Sequence, residues 1–138
     1  MSTPIPEAMR AEVRRRAAGR CEYCGVLDPG GFFPHHVDHV IAEQHGGDTR
    51  LDNLALACPD CNWKKGPNIA SLEDTGGDPI ALFNPRRQEW ADHFARVGPQ
   101  IFGMTPTGRV TARLLDMNLP ERLRERLSAE GDEEPADA

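Results

Sequence analysis

Apolar residues recur every four positions near the start of the chain, and this spacing predicts an amphipathic helix. Met9, Val13 and Ala17 form the apolar stripe. The helix is expected to begin at Pro6, a residue type that suits the first helical position, and to end at Gly19. The arginines of this segment lie mostly off the stripe, so they form either a solvated face or a set of phosphate contacts. They are Arg10, Arg14, Arg15 and Arg16.

The middle of the chain is typical of short extended stretches followed by a helix. Residues 32–41 are predicted to be extended, and alternating leucines further on lead into Cys58. Pro59 fits the start of a short helix that runs through Lys65 and stops at Gly66. Extended segments and helices therefore both occur, which indicates an α+β fold.

The second half of the chain is predicted to be mainly helical scaffold. Residues 68–79 have the composition of a loop, Ile101 and Phe102 are predicted to form a short strand, and residues 106–108 a turn. Asn84 and Pro85 suit the start of a helix. Apolar stripes spaced by three and four predict three helices, and the stripes are Trp90, Phe94 and Val97; Val110, Leu114 and Met117; and Leu119, Leu123 and Leu127.

Charge changes this picture of an ordinary small protein. The chain has 138 residues, with 16 lysines and arginines against 22 acids, so its net charge is −6. This balance argues against a nucleic-acid partner, because polyphosphate binding normally requires a basic surface. Residues 129–138 carry five of the acids and no base, and they are predicted to be a disordered acidic tail. Without them, 16 basic and 17 acidic residues remain, which is near neutrality.

The chain shows no sequence feature of membrane insertion or export. No run approaches the roughly 18 apolar residues that a membrane span needs. No basic start followed by an apolar stretch suggests a secretory signal. We therefore expect a cytoplasmic protein without a membrane partner.

The cysteines form two pairs with the spacing of metal-binding knuckles. Cys21 and Cys24 make the first pair, Cys58 and Cys61 the second, and 33 residues separate the pairs. Four thiolates in this pattern supply a closed tetrahedral zinc site, which holds a fold together and leaves no position for catalysis. Disulfides are the alternative, but a cytoplasmic location disfavours them. A redox motif would need only one pair near a βαβ pattern, which is absent.

Histidines cluster between the cysteine pairs. Four of the five lie within residues 35–45, and Asp38 precedes His39 there. A carboxylate that holds a divalent cation beside an imidazole that can deprotonate water suits phosphodiester hydrolysis. Strict strand alternation would place these two side chains on opposite faces, so joint action requires a bulge or a strand end. The cluster by itself is equally compatible with a second structural metal. His35 and His45 are expected to be exposed loop residues.

Several motifs occur in a fixed order along residues 21–66: both cysteine pairs, Val37-Asp38-His39-Val40-Ile41, Gly46-Gly47, Asp52-Asn53-Leu54, Asn62 and Lys65-Gly66. In this order and at these intervals they resemble the HNH endonuclease family. The resemblance implies a ββα-metal nuclease core, treble-clef-like in its zinc-bearing members and held together by zinc.

The resemblance also implies residue roles. His39 corresponds to the general base, and Asp38 to a ligand of the catalytic divalent cation. Asn53 corresponds to the middle asparagine, which braces the loop between strand and helix. Asn62 stands where many members have a last histidine, so its amide oxygen would serve as metal ligand. An amide and a carboxylate favour Mg²⁺ or Mn²⁺ over Zn²⁺ or Ni²⁺ at this second site. His36, two residues before Asp38, is a further candidate ligand or phosphate contact.

Basic residues outside the motif have two open interpretations each. Lys64 and Lys65 at the helix end either contact phosphate or complement the helix dipole. The second half resembles the extension found in small stand-alone bacterial members of the family, through residues 82–86, 103–109 and neighbouring positions. Four arginines of this extension are candidates for DNA-backbone contact or for structural ion pairs: Arg86, Arg87, Arg109 and Arg113.

Together these observations predict an organisation and a function. Residues 1–67 would form the N-terminal helix and the HNH core, residues 68–128 an extension packed on it, and residues 129–138 the tail. We expect a metal-dependent endonuclease acting on DNA, with structural Zn²⁺, catalytic Mg²⁺ or Mn²⁺ and no small-molecule cofactor. A homodimer stays open, because one active site nicks one strand. The alternative is a zinc-held module that binds nucleic acid without cutting it.

Overall fold

The computed structural model of the protein describes residues 4–31 and 34–131, and the side chains as far as residue 128. The helices are α1 (Glu7–Arg16), α2 (Pro59–Lys65), α3 (Trp90–His93), α4 (Pro106–Leu114) and α5 (Pro120–Gly131). The strands are β1 (His36–His39), β2 (Leu54–Ala57), β3 (Ala70–Ser71), β4 (Ile80–Ala81), β5 (Phe94–Val97) and β6 (Gln100–Gly103). Helices combined with small antiparallel sheets agree with the predicted α+β class. No helix in the described ranges has the length and apolar character needed to cross a membrane.

The first half of the chain is organised around an antiparallel pair of strands. β1 pairs with β2 so that His39 faces Leu54 and His36 faces Ala57. β2 is wholly buried because α1 and α2 both pack against this pair. Val13 of α1 lies in one core cluster with Leu54 and Leu56, as its place on the apolar stripe predicts. The buried strand thus provides a firm base for the residues at the end of β1.

α2 has the bounds that the sequence predicts, and local chemistry explains both ends. Cys58 is the N-cap, because its Sγ accepts a hydrogen bond from the backbone N–H of Cys61. Pro59 occupies the first turn, where its missing N–H leaves no bond unmade. Gly66 ends the helix with a φ of 51°, a left-handed value that disfavours side chains with a Cβ.

The predicted helix that begins at Asn84 and Pro85 and runs through Val97 is wrong. The helical part is the single turn α3, and Phe94–Val97 is instead strand β5, paired with β6. The strand that the sequence predicts at Ile101 and Phe102 lies within β6. Trp90 and Phe94 nevertheless stack, with ring centroids 5.0 Å apart. Their spacing of four therefore reflects one helical turn followed by a strand, which periodicity by itself does not distinguish from a longer helix.

The predicted turn at residues 106–108 is also wrong, because α4 begins there. Thr105 caps the helix by accepting a hydrogen bond from the Gly108 N–H at 3.0 Å, and Pro106 follows it. Gly108 lies against the backbone of His93 and Gly103, where a Cβ would collide with the His93 carbonyl. The proline and the glycine that suggested a turn have other roles. Pro106 begins the helix, and Gly108 allows the close approach of two backbone segments.

α5 buries a face adjacent to the predicted one. Leu127 is 51% exposed, whereas Arg122 and Arg126 are 2% and 1% exposed. The leucine stripe predicted as core is therefore not the buried face of this helix. The helix continues to Gly131, beyond the start of the predicted tail at residue 129, and residues 132–138 of that tail lie outside the described residues.

The extension packs directly on the first cysteine-containing segment. One core cluster joins all four cysteines with Tyr23 from the first half and with Phe83, Phe94 and Leu115 from the second. Tyr23 and Phe94 both pack against Phe83 edge to face, with centroids 6.4 and 5.3 Å from its ring. Leu115 and Met117 follow α4 directly and belong to this core, which therefore determines where the end of α4 lies relative to the cysteines.

We predict that Gly108→Ala destabilises the protein. Alanine gains about 1 kcal/mol of helix propensity, but its Cβ meets immovable backbone atoms of His93 and Gly103. The expected net loss is about 1–3 kcal/mol in the free energy of unfolding, measured by urea titration. Gly76→Ala is the matched control, because a Cβ there meets nothing within 4 Å. Equal stability of the two variants would contradict the close packing of α4 on β6.

Candidate metal centre and candidate active site

The four cysteines form one buried cluster. Their Sγ atoms all lie within 4.8 Å of one another, and all four residues are free thiols. The Cys24 and Cys58 sulfurs are 3.7 Å apart, too far for a disulfide bond of about 2.05 Å. A tetrahedral site with Zn–S bonds of about 2.3 Å has edges of about 3.8 Å. The cysteines are therefore positioned to bind a metal ion, and their donor set fits structural zinc.

Each pair is held in a tight knuckle by backbone hydrogen bonds. In the first knuckle the Cys21 N–H donates to Val26 O at 2.9 Å, and Gly25 turns the chain with a φ of 82°. In the second knuckle Cys58 and Cys61 occupy the N-cap and the first turn of α2. Hydrogen bonds with Cys21, Cys58 and Cys61 hold the pKa of the Cys24 thiol well below its usual value, while burial raises the pKa of Cys21. All four cysteines can be deprotonated together only when a bound metal ion compensates their negative charge.

The extension is fixed to the first knuckle by two polar contacts. Trp90 Nε1 donates to Tyr23 O at 2.8 Å. Arg86 pairs with Glu22, whose other carboxylate oxygen accepts the Leu56 N–H at 2.8 Å. Burial lowers the pKa of Arg86 to about 10. Of the two interpretations left open for Arg86, the structure shows the ion pair.

Asp38 and His39 line the same cavity, of about 380 Å³. Neighbouring residues of a regular strand point to opposite faces, but β1 ends at His39, so the chain leaves strand geometry at this point. The strand end that joint action requires is therefore present. The remaining walls come from the loop after β1 and from the end of α2: Ala42, Glu43, Gln44, Gly66 and Pro67.

Asp38 has a carboxylate oxygen that the protein leaves unsatisfied. Its Oδ2 is buried and has no hydrogen-bond partner among the described residues. Burial raises the pKa of Asp38, and the charge of Lys65, whose Nζ lies 3.9 Å from Oδ2, opposes this effect. Asp38 lines the cavity, and a carboxylate is the ligand type that a hard divalent cation prefers.

The lysines at the end of α2 point to protein groups. Lys65 is 2% exposed, and its Nζ donates to Val40 O at 2.9 Å, so its burial excludes phosphate contact. Lys64 Nζ lies 2.6 Å from an Asp116 carboxylate oxygen. Lys65 therefore holds the end of β1 against α2, a role that the sequence did not indicate.

The His39 ring is held by two residues that the sequence analysis missed. Its Nε2 lies 2.8 Å from Thr49 Oγ1 and 3.4 Å from Glu43 Oε1. The side chain is 12% exposed, so it stays partly accessible from the cavity. No local signal marks Thr49 or Glu43, because the loop between β1 and β2 brings them to His39 only in the folded chain.

Asn53 makes the contacts that bracing this loop requires. Its Oδ1 accepts the Ile41 N–H at 2.9 Å, and its Nδ2 donates to the carbonyls of Ile41 and Asp48 at 3.0 and 2.9 Å. Gly47 lies so close to Ile41 and Asn53 that a Cβ at this position would collide with both. The loop is therefore closed on itself directly after His39.

The remaining candidate residues differ in burial and in their position relative to the cavity. Asn62 is half-buried in α2, and although it is not one of the cavity-lining residues, it lies on the same helix face as Lys65 and Gly66. His36 is exposed and does not line the cavity. His35, expected to be exposed, is instead 2% exposed, with its Nε2 2.8 Å from Val26 O. His45 is exposed as predicted.

Most of the candidate phosphate-binding arginines have partners within the protein. Arg109 pairs with Glu73, Arg113 donates to the carbonyls of Leu72 and Glu73, and Arg16 donates to those of Leu51 and Leu54. Arg87, by contrast, is exposed, and with Arg50 it lines a second polar cavity, of about 480 Å³. Asn53 lies in the wall of that cavity, so residues of the braced loop line both this cavity and the one with Asp38 and His39.

Comparison with known proteins identifies the segment that contains these features. A family model described as HNH endonuclease matches residues 21–68. The match spans both knuckles, β1, β2 and α2, and it confirms the resemblance over these residues. It supports a nuclease-family assignment and a nucleic-acid substrate. No curated protein and no solved structure matches the chain.

We predict that Asn53→Ala loosens the loop between β1 and β2. The change removes three hydrogen bonds and leaves Ile41 backbone groups unpaired, so the free energy of unfolding should fall by about 1–3 kcal/mol. Hydrogen exchange should also become faster in residues 41–50 than elsewhere. The exposed Asn68 provides the control variant, Asn68→Ala. Unchanged exchange in Asn53→Ala would show that other contacts hold the loop.

Proposed function

We propose that this protein is a metal-dependent endonuclease that hydrolyses DNA phosphodiester bonds. The observation that carries the proposal is one cavity, within the segment that matches the HNH family, lined by both Asp38 and His39. The carboxylate of Asp38 provides a cation ligand, and the imidazole of His39 provides a group that can act as a base.

The four-cysteine centre is proposed to hold Zn²⁺ in a structural role. Four sulfurs occupy all the coordination positions of a tetrahedral zinc ion, so no position is left for water or substrate. Cys61 immediately precedes Asn62 in the first turn of α2. An ion at the cysteines would therefore fix the backbone beside a proposed catalytic ligand.

His39 is proposed to take a proton from the attacking water. Thr49 and Glu43 contact its Nε2 and limit rotation of the ring, while Asn53 closes the loop behind it. The water oxygen attacks phosphorus, and the bond to the 3′ oxygen breaks, leaving a 5′-phosphate. Asp38 and Asn62 would hold Mg²⁺ or Mn²⁺, which when bound supplies charge stabilisation to the phosphate and the leaving oxygen.

A binding module without catalysis is the second candidate, and the position of Asp38 disfavours it. A carboxylate beside a phosphate is repulsive unless a cation lies between them. A protein that only gripped DNA would have no use for an acid on the cavity wall. Few arginines are free of internal partners, so we expect weak DNA binding that declines steeply with salt.

We predict that His39→Ala abolishes most DNA cleavage. Loss of a general base typically slows a reaction by about 10²–10⁴-fold. The measurement is nicking of supercoiled plasmid with Mg²⁺ or Mn²⁺, at equal zinc content. His45→Ala is the matched control, because His45 is an exposed histidine outside the cavity. A wild-type protein that cuts no better than His39→Ala but still binds DNA would support the binding module instead.

We predict that Asn62→Ala weakens the catalytic cation site. Removing an amide oxygen ligand should raise the Mg²⁺ or Mn²⁺ concentration at half-maximal nicking by about tenfold or more. Asn68→Ala, outside the site, should leave this concentration unchanged. An unaltered cation dependence in Asn62→Ala would remove Asn62 from the ligand set while leaving Asp38 and His39 untouched.

A further inference from the structure

A buried arginine from the C-terminal helix contacts the second cysteine knuckle. Arg122 of α5 is 2% exposed, and its Nη2 lies 3.0 Å from Cys61 Sγ and 3.6 Å from Cys58 Sγ. These distances are within hydrogen-bonding range for an N–H donor and a sulfur acceptor. A residue far along the chain therefore belongs to the immediate surroundings of the metal centre.

The other contacts of Arg122 hold its guanidinium in place. Nη1 donates to Leu115 O at 2.8 Å, and Nε lies 3.7 Å from a carboxylate oxygen of Asp60. Asp60 is 48% exposed, so this pair is weakened by solvent. The guanidinium thus connects the end of α4 to the start of α2, with the two cysteine sulfurs between them.

Arg126, one turn further along α5, fastens the same helix face. Its Nε donates to Pro99 O at 2.7 Å, and its Nη2 donates to Met117 O at 2.5 Å. Arg122 and Arg126 together form the buried face of α5, in place of the leucines that the sequence suggested. The docking of α5 therefore depends on satisfying buried positive charge.

Charge balance explains why a positively charged arginine lies beside the cysteine sulfurs. A divalent ion with four thiolates has a net charge of −2, which is expensive to bury without compensation. An arginine is always protonated and offers N–H donors to the sulfurs, so it offsets part of that charge. Without the ion nothing ties the four sulfurs together, so Arg122 loses Cys58 and Cys61 as fixed acceptors and keeps the Leu115 carbonyl and the half-exposed Asp60 as contacts.

We infer that Arg122 is a counter-charge for the metal-loaded cysteine centre, and that α5 docks stably only when the metal is bound. The metal would then organise the C-terminal extension as well as the nuclease segment. The inference requires the four-cysteine centre but not DNA cleavage, so it stands or falls separately from the proposed nuclease function.

The test compares zinc retention in the full-length protein and three variants. Arg122→Met removes the charge, Arg122→Lys keeps the charge but not the planar fork, and Arg124→Met alters an exposed arginine of the same helix. Zinc release to a chromophoric chelator should be about 10- to 100-fold faster in Arg122→Met, as expected for the loss of a charge-assisted hydrogen bond. Arg122→Lys should be intermediate, and Arg124→Met should match the wild type.

Hydrogen exchange of the wild-type protein provides the second measurement and needs no variant. Removing zinc should increase exchange in residues 120–128 as strongly as in the knuckles. Normal zinc retention in a folded Arg122→Met protein would overturn the role of Arg122 as a counter-charge. Unchanged hydrogen exchange in α5 after zinc removal would overturn the dependence of α5 docking on the metal. If Arg122→Met does not fold, the comparison of Arg122→Lys with Arg124→Met decides the first point.

Discussion

The convergence of four cysteine sulfurs is the constraint on which the rest of this structure depends. The first knuckle follows α1, and the second forms the start of α2, so bringing the sulfurs within 4.8 Å sets the position of that helix. β2 ends at Ala57, directly before Cys58, and its partner β1 carries Asp38 and His39. The cavity between the end of β1 and the end of α2 is thus positioned by a cluster that does not itself line it.

A second layer of contacts gives the candidate active site its local order. The end of β1 is held by Lys65 from one side and by the loop that Asn53 closes from the other. These contacts use backbone groups of Val40 and Ile41, the two residues that follow His39, so the framework holds the chain at the end of β1. The Oδ2 of Asp38, by contrast, has no hydrogen-bond partner among the described residues. A buried polar atom without a partner requires an explanation, and a bound cation is one.

The location of the charged residues in this protein says more about a nucleic-acid substrate than the net charge does. A net charge of −6 argued against a nucleic-acid substrate, while the match to the HNH family supports one. Arg86, Arg122 and Arg126 are directed inward, so the extension uses basic residues as structural elements. What remains for a nucleic acid is a small number of exposed cations, such as Arg87, around polar cavities.

The sequence by itself determined the features that depend on local spacing: the cysteine pairs, the bounds of α2, the apolar stripe of α1 and the HNH register of residues 21–66. These are decided within a few residues, by ligand spacing, capping and periodicity. Only the tertiary structure decided that residues 94–97 form a strand, that Thr49 and Glu43 contact His39, and that α5 buries arginines instead of leucines. The reason is physical: a strand needs its partner, and a buried charge needs carbonyls, carboxylates or sulfurs that distant segments supply.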